Sequence, residues 1–373
     1  MLNRRQFMGR SAALGALAAS PASGLAQSDN FVSLDAIARS KGLRFGTATD
    51  GSEVNDAEIS ALIRRECSVL VSENAHKWKH LKPREAVFRS EEAETITEFA
   101  DANDMEMRGH CFIWNQDNRI PEWIHAQEEE LGANGGEALI RHLWNYAEEL
   151  VTTFPTIQSW DAVNEVITPW EGDIRNSALT RIFGEQVMDV GFGIMRAKAP
   201  EAQLVYNDYM DWKARPNHRD GVLALLERAL SRDVPIDALG IQAHLGGNVG
   251  NPIDEAGWVQ FLTEIRDLGL QVLITELDCS DRFVESSDPA VRDATTAAQV
   301  KDFLDVTLSF TNVERVVLWS ISDRGSYLRR PQYPEERRRP DGLPMRGHPY
   351  DEDLQPTAMR DAIALALGHA PER

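Results

Sequence analysis

Residues 159–165 read Ser-Trp-Asp-Ala-Val-Asn-Glu, a largely apolar run that ends on a carboxylate. The segment before this run carries apolar residues at helical spacing and is stopped by Pro155; the residues are Leu139, Leu143, Ala147, Leu150, Val151 and Phe154. The two patterns predict a helix followed by a short buried strand. This unit decides the fold because the same succession recurs along the chain.

Eight strand-like runs follow the N-terminal segment, and a helical pattern follows most of them. We predict the strands at residues 43–48, 68–72, 105–114, 157–164, 203–207, 236–245, 271–277 and 315–321. Eight β–α units in one α/β domain of this length favour a single (β/α)8 TIM barrel. A doubly wound sheet is the alternative, but no glycine-rich phosphate loop of the usual spacing follows the first strand.

The N-terminal segment predicts export. Residues 1–26 contain the pair Arg4-Arg5, then a short apolar stretch, and end on mostly small residues, Gly24-Leu25-Ala26. This order is typical of a twin-arginine signal peptide. A membrane anchor is the alternative, although the apolar stretch is short for a bilayer. We predict that residues 27–373 form a single mature domain, a monomer that is periplasmic or secreted.

The composition limits the partners and cofactors. The formal charge of the 373 residues is −20, and removal of residues 1–26, with three arginines and no acid, would lower it to −23. Such a charge argues against nucleic acid and anionic membranes as partners. Cys67, Cys111 and Cys279 have no metal-binding spacing and are expected to be buried free thiols, with one disulfide as the alternative. No metal or organic cofactor is predicted.

Two carboxylates at strand ends suggest the chemistry. Glu165 and Glu276 each follow an apolar run and lie 111 residues apart, so they meet only if two strand ends share one rim. The strand ends of a barrel do share one mouth. Two carboxylates about 5–5.5 Å apart can cleave a glycosidic bond with retention of configuration, one as the acid and the other as the nucleophile.

Seven blocks of sequence resemble glycoside hydrolase family 10, the endo-β-1,4-xylanases. Residues 160–165 resemble the acid/base signature of that family, and residues 275–278 resemble its nucleophile signature. The other blocks, in order, are residues 72–78, 108–110, 206–209, 240–245 and 318–323. The resemblance extends from about residue 40 to about residue 365, essentially the whole predicted mature chain.

The resemblance implies a retaining endo-xylanase that acts on xylan-type polysaccharide. Glu165 would be the acid/base and Glu276 the nucleophile, with His244 donating to the nucleophile and Asp278 orienting that histidine. Asn164 would bind the 2-hydroxyl of the sugar under attack. The expected substrate-binding residues are Glu73, Asn74, Lys77, Asn115, Gln242, Trp319 and Tyr327. His110 and Asp208 are expected to brace the site from behind.

Departures from the family pattern leave the substrate open. Asn115 stands where the family has a histidine, and two extra residues separate Trp114 from Pro121. Tyr327 replaces a second tryptophan, and Gln355 precedes Pro356 where the family has lysine. One alternative is the same chemistry on another, acidic polysaccharide such as a bacterial exopolysaccharide. The other is a glycan-binding barrel without turnover.

A run of arginines follows the eighth predicted strand. Its members are Arg329, Arg330, Arg337, Arg338 and Arg339, in an otherwise acidic chain. We hypothesise that this loop binds the carboxylates of a decorated glycan, because the arginine fork suits a carboxylate. The alternative is a solvated loop paired with neighbouring acids such as Glu335 and Glu336.

Overall fold

A computed structural model describes residues 32–131, 135–246 and 252–373. The predicted signal peptide lies outside these described residues. Ser33–Arg373 forms one compact unit. None of the helices in the described ranges is both long and apolar enough to cross a membrane.

The strands of the described chain form one parallel sheet that closes into a barrel. They are β1 Arg44–Thr49, β2 Val69–Ser72, β3 Glu106–Gly109, β4 Ile113–Trp114, β5 Ser159–Asn164, β6 Gln203–Asp208, β7 Ala238–Ile241, β8 His244–Gly246, β9 Gln271–Ser280 and β10 Val313–Leu318. The sheet closes because β10 pairs with both β9 and β1. The short strands β4 and β8 continue the third and sixth of eight staves, so the predicted (β/α)8 barrel is confirmed.

Helices surround the barrel. They are α1 Leu34–Arg39, α2 Gly51–Asn55, α3 Ala57–Glu66, α4 Trp78–Leu81, α5 Glu91–Ala102, α6 Glu122–Leu131, α7 Gly135–Thr153, α8 Ala178–Phe183, α9 Val187–Lys198, α10 Pro216–Leu230, α11 Glu255–Asp267, α12 Pro289–Thr307 and α13 Ala358–His369. Helix α7 buries Leu139, Leu143, Ala147 and Leu150, the stripe that its sequence predicts. The three cysteines are free and buried, as predicted.

Two of the predicted strands are interrupted, and each interruption lies at the mouth of the barrel. Strand β3 ends at Gly109, where an added Cβ would lie 2.0 Å from the ring of Trp160. The chain rejoins the sheet as β4, in which Ile113 pairs with Val163. The second interruption lies between β7 and β8, where Ala243 has a φ of 57°. Both interruptions bring polar side chains to the rim.

Strand β9 is three residues longer than predicted. Its extension is paired with β8, so that His244 lies opposite Asp278 and Gly246 opposite Ser280. Glu276 therefore lies within β9 and not at its end. The extra pairing fixes the histidine beside the strand that carries this carboxylate.

Candidate active site

Glu165 directly follows β5 and has a left-handed backbone. Its φ is 63°, a conformation that costs a non-glycine residue roughly 1–2 kcal/mol. Two hydrogen bonds hold this turn: the Glu165 amide donates to the Asn207 carbonyl at 2.9 Å, and Arg175 Nε donates to the Glu165 carbonyl at 3.0 Å. The turn directs the carboxylate towards side chains from β4 and from the β7–β8 connection.

The Glu165 carboxylate is buried among hydrogen-bond donors. Trp114 Nε1 donates to Oε2 at 2.6 Å, Gln116 Nε2 donates to the same oxygen, and Gln242 Nε2 donates to Oε1 at 2.9 Å. Burial raises the pKa of Glu165, and the charges of Asp208 and Glu276 add to the rise, although the Trp114 and Gln242 bonds oppose it. A buried carboxyl with a raised pKa is suited to hold a proton and donate it.

The Glu276 carboxylate is equally buried but has the opposite shift. Asn207 Nδ2 donates to Oε1 at 2.7 Å, and His244 Nε2 lies 3.2 Å from Oε2. Burial alone would raise the pKa of Glu276, but the His244 hydrogen bond and the nearby positive charges, including Lys77, lower it below its usual value. This carboxylate therefore stays ionised, as a nucleophile requires.

His244 is held between two carboxylates. Its Nδ1 lies 2.9 Å from Asp278 Oδ2, and the Tyr327 hydroxyl donates to the same oxygen at 2.8 Å. Burial alone would lower the pKa of His244, but Asp278 and Glu276 raise it to about 10. A protonated imidazole donates from both nitrogens, so Asp278 orients the ring and Glu276 receives the second proton.

Side-chain amides connect the two carboxylates. Gln242 Nε2 lies 3.4 Å from Asn164 Oδ1, and Asn207 Nδ2 donates to the same oxygen at 3.0 Å. Asn207 also bonds Glu276 and is fixed by Thr275 Oγ1, which donates to its Oδ1 at 2.7 Å. Glu165 and Glu276 thus belong to one hydrogen-bonded network, although β6 and β7 separate their strands.

Asn207 is a positioning residue that sequence reasoning did not assign. It is fully buried at the end of β6 and touches both Glu276 and Asn164. Its place in a strand-end block was visible in the sequence. Its contact with Glu276, 69 residues away along the chain, was not.

The predicted sugar binders Glu73, Asn74 and Lys77 form a cluster after β2. Asn74 Nδ2 donates to Glu73 Oε1 at 3.2 Å, and Lys77 Nζ donates to Asn74 Oδ1 at 3.1 Å. Lys77 Nζ also lies 4.5 Å from the ring centroid of Trp114, and burial lowers its pKa. Arg330 from the arginine loop reaches this cluster and pairs with Glu73 at 2.7 Å and with Asp50 at 3.0 Å. No sequence signal pointed to that contact.

The segment after β4 is placed differently from its predicted role. Asn115 is fully buried, and its Oδ1 accepts a hydrogen bond of 2.5 Å from the Ser177 hydroxyl at the start of α8. Asp117 Oδ1 likewise accepts from the Ala178 amide at 2.6 Å. These contacts tie the segment to α8 and leave Gln116 to reach Glu165 and, at 2.9 Å, the Tyr209 hydroxyl. The geometry favours an anchoring role for Asn115 and gives the contact with the acid to Gln116.

Trp319 is buried beside the site, and the partly buried Tyr327 packs next to it. The Trp319 ring lies 5.2 Å from the ring of His110 and 6.5 Å from the ring of His244, and only 7% of the residue is exposed. Tyr327 packs against the same cluster while its hydroxyl bonds Asp278. Tyr327 thus contacts the group that orients His244.

His110 and Asp208, which the sequence analysis expects to brace the site, are both buried. His110 Nδ1 lies 2.8 Å from Asp161 Oδ2, and Arg108 binds the other oxygen of that carboxylate at 2.5 Å. Asp208 accepts hydrogen bonds from the Tyr209 amide at 2.7 Å and from the Tyr206 hydroxyl. The contacts of Asp161 tie β3 and the residue after it to β5, whereas these two bonds of Asp208 stay within residues 206–209.

A cavity of about 410 Å³ adjoins the site. It contacts the groups around Glu165, namely Gln116, Tyr209 and Gln242, together with His244 and Asp278. The Glu73 cluster is not part of its lining. The cavity therefore lies on the side of the carboxylates away from the predicted sugar binders.

Four of the five loop arginines bond to other groups of the protein. Arg329 pairs with Glu352, and Arg330 pairs with Glu73 and Asp50. Arg338 donates to main-chain carbonyls of its own loop; buried Arg339 binds Asp281 and Asp341. Arg337 is exposed and lines the cavity. Of the five loop arginines, Arg337 is therefore the one that remains a candidate for binding the carboxylate of a decorated glycan.

Among the described residues, no group of three or more His, Cys, Asp or Glu side chains is arranged to hold a metal ion. The polar groups that converge on the site are two carboxylates with opposite pKa shifts, their amide and indole donors and one charged histidine. This arrangement can protonate one atom and attack its neighbour.

Comparison with known proteins gives consistent matches over most of the chain. The family model described as glycosyl hydrolase family 10 matches residues 33–366. An endo-1,4-beta-xylanase A from Caldicellulosiruptor saccharolyticus is 31% identical over 299 residues, which cover 76% of this chain and 83% of that protein. An endo-1,4-beta-xylanase A from Thermoanaerobacterium saccharolyticum is 28% identical over 298 residues, which cover 78% of this chain but only 25% of the longer relative.

Solved structures share the fold. Xylanase B from Clostridium stercorarium F9 superposes with a TM-score of 0.77 at 29% identity, over 90% of this chain and 99% of the other. A GH10 endoxylanase retrieved from a sugarcane soil metagenome gives a TM-score of 0.78 at 25% identity, over 90% and 100% of the two chains.

Proposed function

Because the chain belongs to glycosyl hydrolase family 10, we propose that it is a retaining endo-β-1,4-xylanase that uses Glu165 as acid/base and Glu276 as nucleophile. The observation that carries the proposal is the opposite pKa shift of two buried carboxyls in one hydrogen-bonded network. Pairs of titratable groups whose environments separate their pKa values are the mark of an acid and its partner. The relatives named as xylanases supply the substrate class.

The first step forms a covalent intermediate. The ionised Glu276 attacks the anomeric carbon, and the C–O bond to the leaving sugar breaks as Glu165 protonates that oxygen. His244 and Asn207 hold the attacking carboxylate by its two oxygens, which fixes its orientation. Positive charge develops on the sugar ring, and the buried anionic site stabilises it.

The second step releases the sugar. Glu165, now ionised, takes a proton from a water molecule that attacks the anomeric carbon and displaces Glu276. Its three donors, Trp114, Gln116 and Gln242, stabilise the ionised form at this stage. Asn164 is placed in the same network, where we assign it the 2-hydroxyl of the bound sugar.

Product analysis on neutral arabinoxylan tests the activity. The protein from Gln27 onward should release a ladder of short xylo-oligosaccharides and lower the viscosity of the solution early, as internal cleavage requires. The Glu276→Ala variant should lose nearly all turnover and still bind the glycan, which separates an enzyme from a binding barrel. No release by folded wild-type protein would contradict the proposal.

Export is part of the same proposal. A polysaccharide too large to enter a cell must be cut outside the cytoplasm, and the Arg4-Arg5 segment fits a twin-arginine signal. We propose a periplasmic or secreted monomer. N-terminal sequencing of the exported protein should begin near Gln27, and replacing both arginines with lysine should block export.

A further inference from the structure

The cavity beside Glu165 adjoins the carboxyl to which the proposed function assigns protonation of the leaving oxygen. Its lining includes Gln116, Tyr209 and Gln242, which surround the carboxyl that protonates the leaving oxygen. The predicted sugar binders Glu73 and Lys77 lie outside it. If the proposed function holds, the sugars beyond the broken bond occupy this cavity.

The charge of this cavity contrasts with that of the whole chain. Although the protein carries −20, the cavity is lined by the protonated His244 and by five Lys or Arg side chains: Arg175, Lys213, Arg215, Arg282 and Arg337. Only two acids, Asp211 and Asp278, line it. Acidic surfaces repel anions, so a basic cavity in an acidic protein marks a local preference for negative charge.

Three of these cations are engaged by the protein. Lys213 pairs with Asp211 at 3.0 Å, and Arg215 lies 3.9 Å from the same carboxylate. Arg175 donates to the main-chain carbonyls of Glu165 and Ile167. Asp278 is already bound by His244 and by Tyr327. The two acids of the lining are therefore neutralised within the site.

Arg282 and Arg337 are different. Among the ion pairs of the described residues, none includes either guanidinium; Arg282 lies over the ring of Phe283 at 4.6 Å from its centroid, and its buried Nε has no hydrogen-bond partner. Burial and the negative charge of Asp278 raise the pKa of the Tyr333 hydroxyl, and the positive charges of Arg337 and Arg282 oppose that rise. Tyr333, Arg282 and Arg337 all line the same cavity.

An aromatic surface accompanies these charges. Trp170 lines the cavity, is 56% exposed and carries the guanidinium of Arg215 at 4.9 Å from its ring centroid. An exposed indole in a cleft offers an apolar face to a sugar ring. The cavity thus combines an aromatic surface for stacking with two guanidinium groups, those of Arg282 and Arg337, that form no ion pair with the described residues and could bind a carboxylate.

We propose that Arg282 and Arg337 bind the carboxylate of a uronic acid on the leaving-group side of the cleft, so that uronate-bearing xylan is the preferred substrate class. The inference rests on the proposed function. Arginine binds a carboxylate through two parallel hydrogen bonds, which are stronger than bonds between neutral groups. A uronate side group on xylan and a uronate within another backbone share this chemistry.

A neighbouring larger cavity does not compete for this role. It lies beneath residues 328–345, and its arginines Arg329, Arg338 and Arg339 are those already bound to Glu352, to loop carbonyls and to Asp281. Each arginine in the described part of that lining is therefore already bonded to another group of the protein. The carboxylate site is therefore confined to the cavity beside the catalytic groups.

The test compares one polymer in two charge states. kcat/KM is measured on glucuronoxylan and on the same glucuronoxylan after its uronic acids have been reduced to neutral sugars. We expect native chains to be preferred by about tenfold, the effect of one or two charge-assisted hydrogen bonds at a partly exposed site. The preference should fall as ionic strength rises, because salt screens exposed charges.

Substitutions test whether Arg282 and Arg337 cause the preference for native over reduced glucuronoxylan. Arg337→Gln and Arg282→Gln should each bring the ratio of native to reduced xylan towards one, mainly through KM. Arg329→Gln is the matched control, since it belongs to the same loop but pairs with Glu352 outside the cavity. It should keep the preference of the wild type. Thermal unfolding of each variant reports its folding, and Arg337 is exposed enough to be replaced without disturbing the core.

The outcomes are distinct. Cleavage of neutral arabinoxylan with a ratio near one in the wild type would overturn this inference and leave the proposed function intact. A high ratio that survives both substitutions would overturn the assignment to Arg282 and Arg337. No cleavage of any xylan would overturn the proposed function, and this inference with it. Faster cleavage of a polymer with uronate in its backbone would support the carboxylate site but overturn xylan as its source.

Discussion

Glu165 and Glu276 are the same amino acid, equally buried, and their pKa values are shifted in opposite directions. The difference comes from their neighbours: Glu165 receives bonds from neutral indole and amide groups, whereas Glu276 lies against the charged His244. A neutral donor stabilises an ionised carboxylate less than a charged one does. Desolvation therefore prevails at Glu165 and is outweighed at Glu276.

The indole of Trp114 should influence the alkaline limb of the activity profile. Its N–H bond to Glu165 favours the ionised carboxylate, so Trp114→Phe should raise the pKa of Glu165 further. The acid would then stay protonated to higher pH, and the alkaline limb of kcat/KM should move upward. Trp123→Phe is the control, because that indole donates to the Lys82 carbonyl and should leave the profile unchanged. A downward shift in Trp114→Phe would contradict this account.

Asp278 should influence the acid limb. Asp278→Asn removes the negative charge that keeps His244 protonated, so the pKa of His244 should fall from about 10. With less positive charge at His244, the pKa of Glu276 should rise, and the acid limb of kcat/KM should move to higher pH. Tyr327→Phe keeps the aspartate charge and should move the limb less. An unchanged acid limb in Asp278→Asn would show that His244 does not control the nucleophile.

How far single residues could be predicted depended on their surroundings. Glu165, Glu276, His244 and Asp278 stand in blocks whose strand positions can be read from the sequence, and the structure brings them together. Gln116 could not be assigned, because its contact depends on how the inserted segment attaches to α8. The pairing of Arg330 with Glu73 joins residues 257 positions apart and has no local pattern.

At the level of elements, the interruptions of the third and sixth staves determine the shape of the mouth. Sequence reasoning predicted each stave as one unbroken strand, since apolar runs continue through both. The first break depends on the ring of Trp160 packing against Gly109, and the second on the left-handed turn at Ala243. Both breaks depend on the folded structure, so the hydrophobic periodicity of the sequence does not predict them. The helix α7, by contrast, follows from its own stripe.

The loop of residues 328–345 is held by buried charges. Arg339 is only 3% exposed in its side chain and lies against Asp281, which is fully buried. Arg339→Met should lower the free energy of unfolding by about 3 kcal/mol, because it removes one partner of a buried charged group. Arg329→Met removes an ion pair with a half-exposed glutamate and should cost less than about 1 kcal/mol. Equal losses in thermal denaturation would contradict this assignment.

At the level of the whole molecule, the C-terminal helix α13 and α1, the first described helix, pack together near the closure of the barrel. Helix α13 packs on α12 and α1, and Arg373 Nε donates to the Val313 carbonyl at 2.6 Å. Strand β10 must meet β1 for the sheet to close, and this helix covers the junction from outside. The recurrence of eight β–α units predicted the closed barrel, whereas the terminal cover was not predicted.

Two leucines on α13 test whether the packing of this helix stabilises the barrel. Leu367 is fully buried, whereas Leu365 on the same helix is 51% exposed. Leu367→Ala should lower the free energy of unfolding by about 3 kcal/mol, since it leaves a cavity in the core. Leu365→Ala should change it by less than about 0.5 kcal/mol. Denaturant unfolding should remain a single transition in both, and a separate early transition in Leu367→Ala would show that α13 folds independently of the barrel.

Identification of the residue that bonds to the sugar tests the central claim most directly. The protein would be incubated with a 2-deoxy-2-fluoro-xylobioside that carries a good leaving group, which slows release of the glycosyl intermediate, and its peptides would be mapped by mass spectrometry. The account predicts one 2-deoxy-2-fluoro-xylobiosyl adduct, an ester on Glu276 formed as the leaving group departs, and none in the Glu276→Ala variant. An adduct on Glu165, or efficient xylan cleavage that gives products of inverted configuration without any adduct, would contradict it.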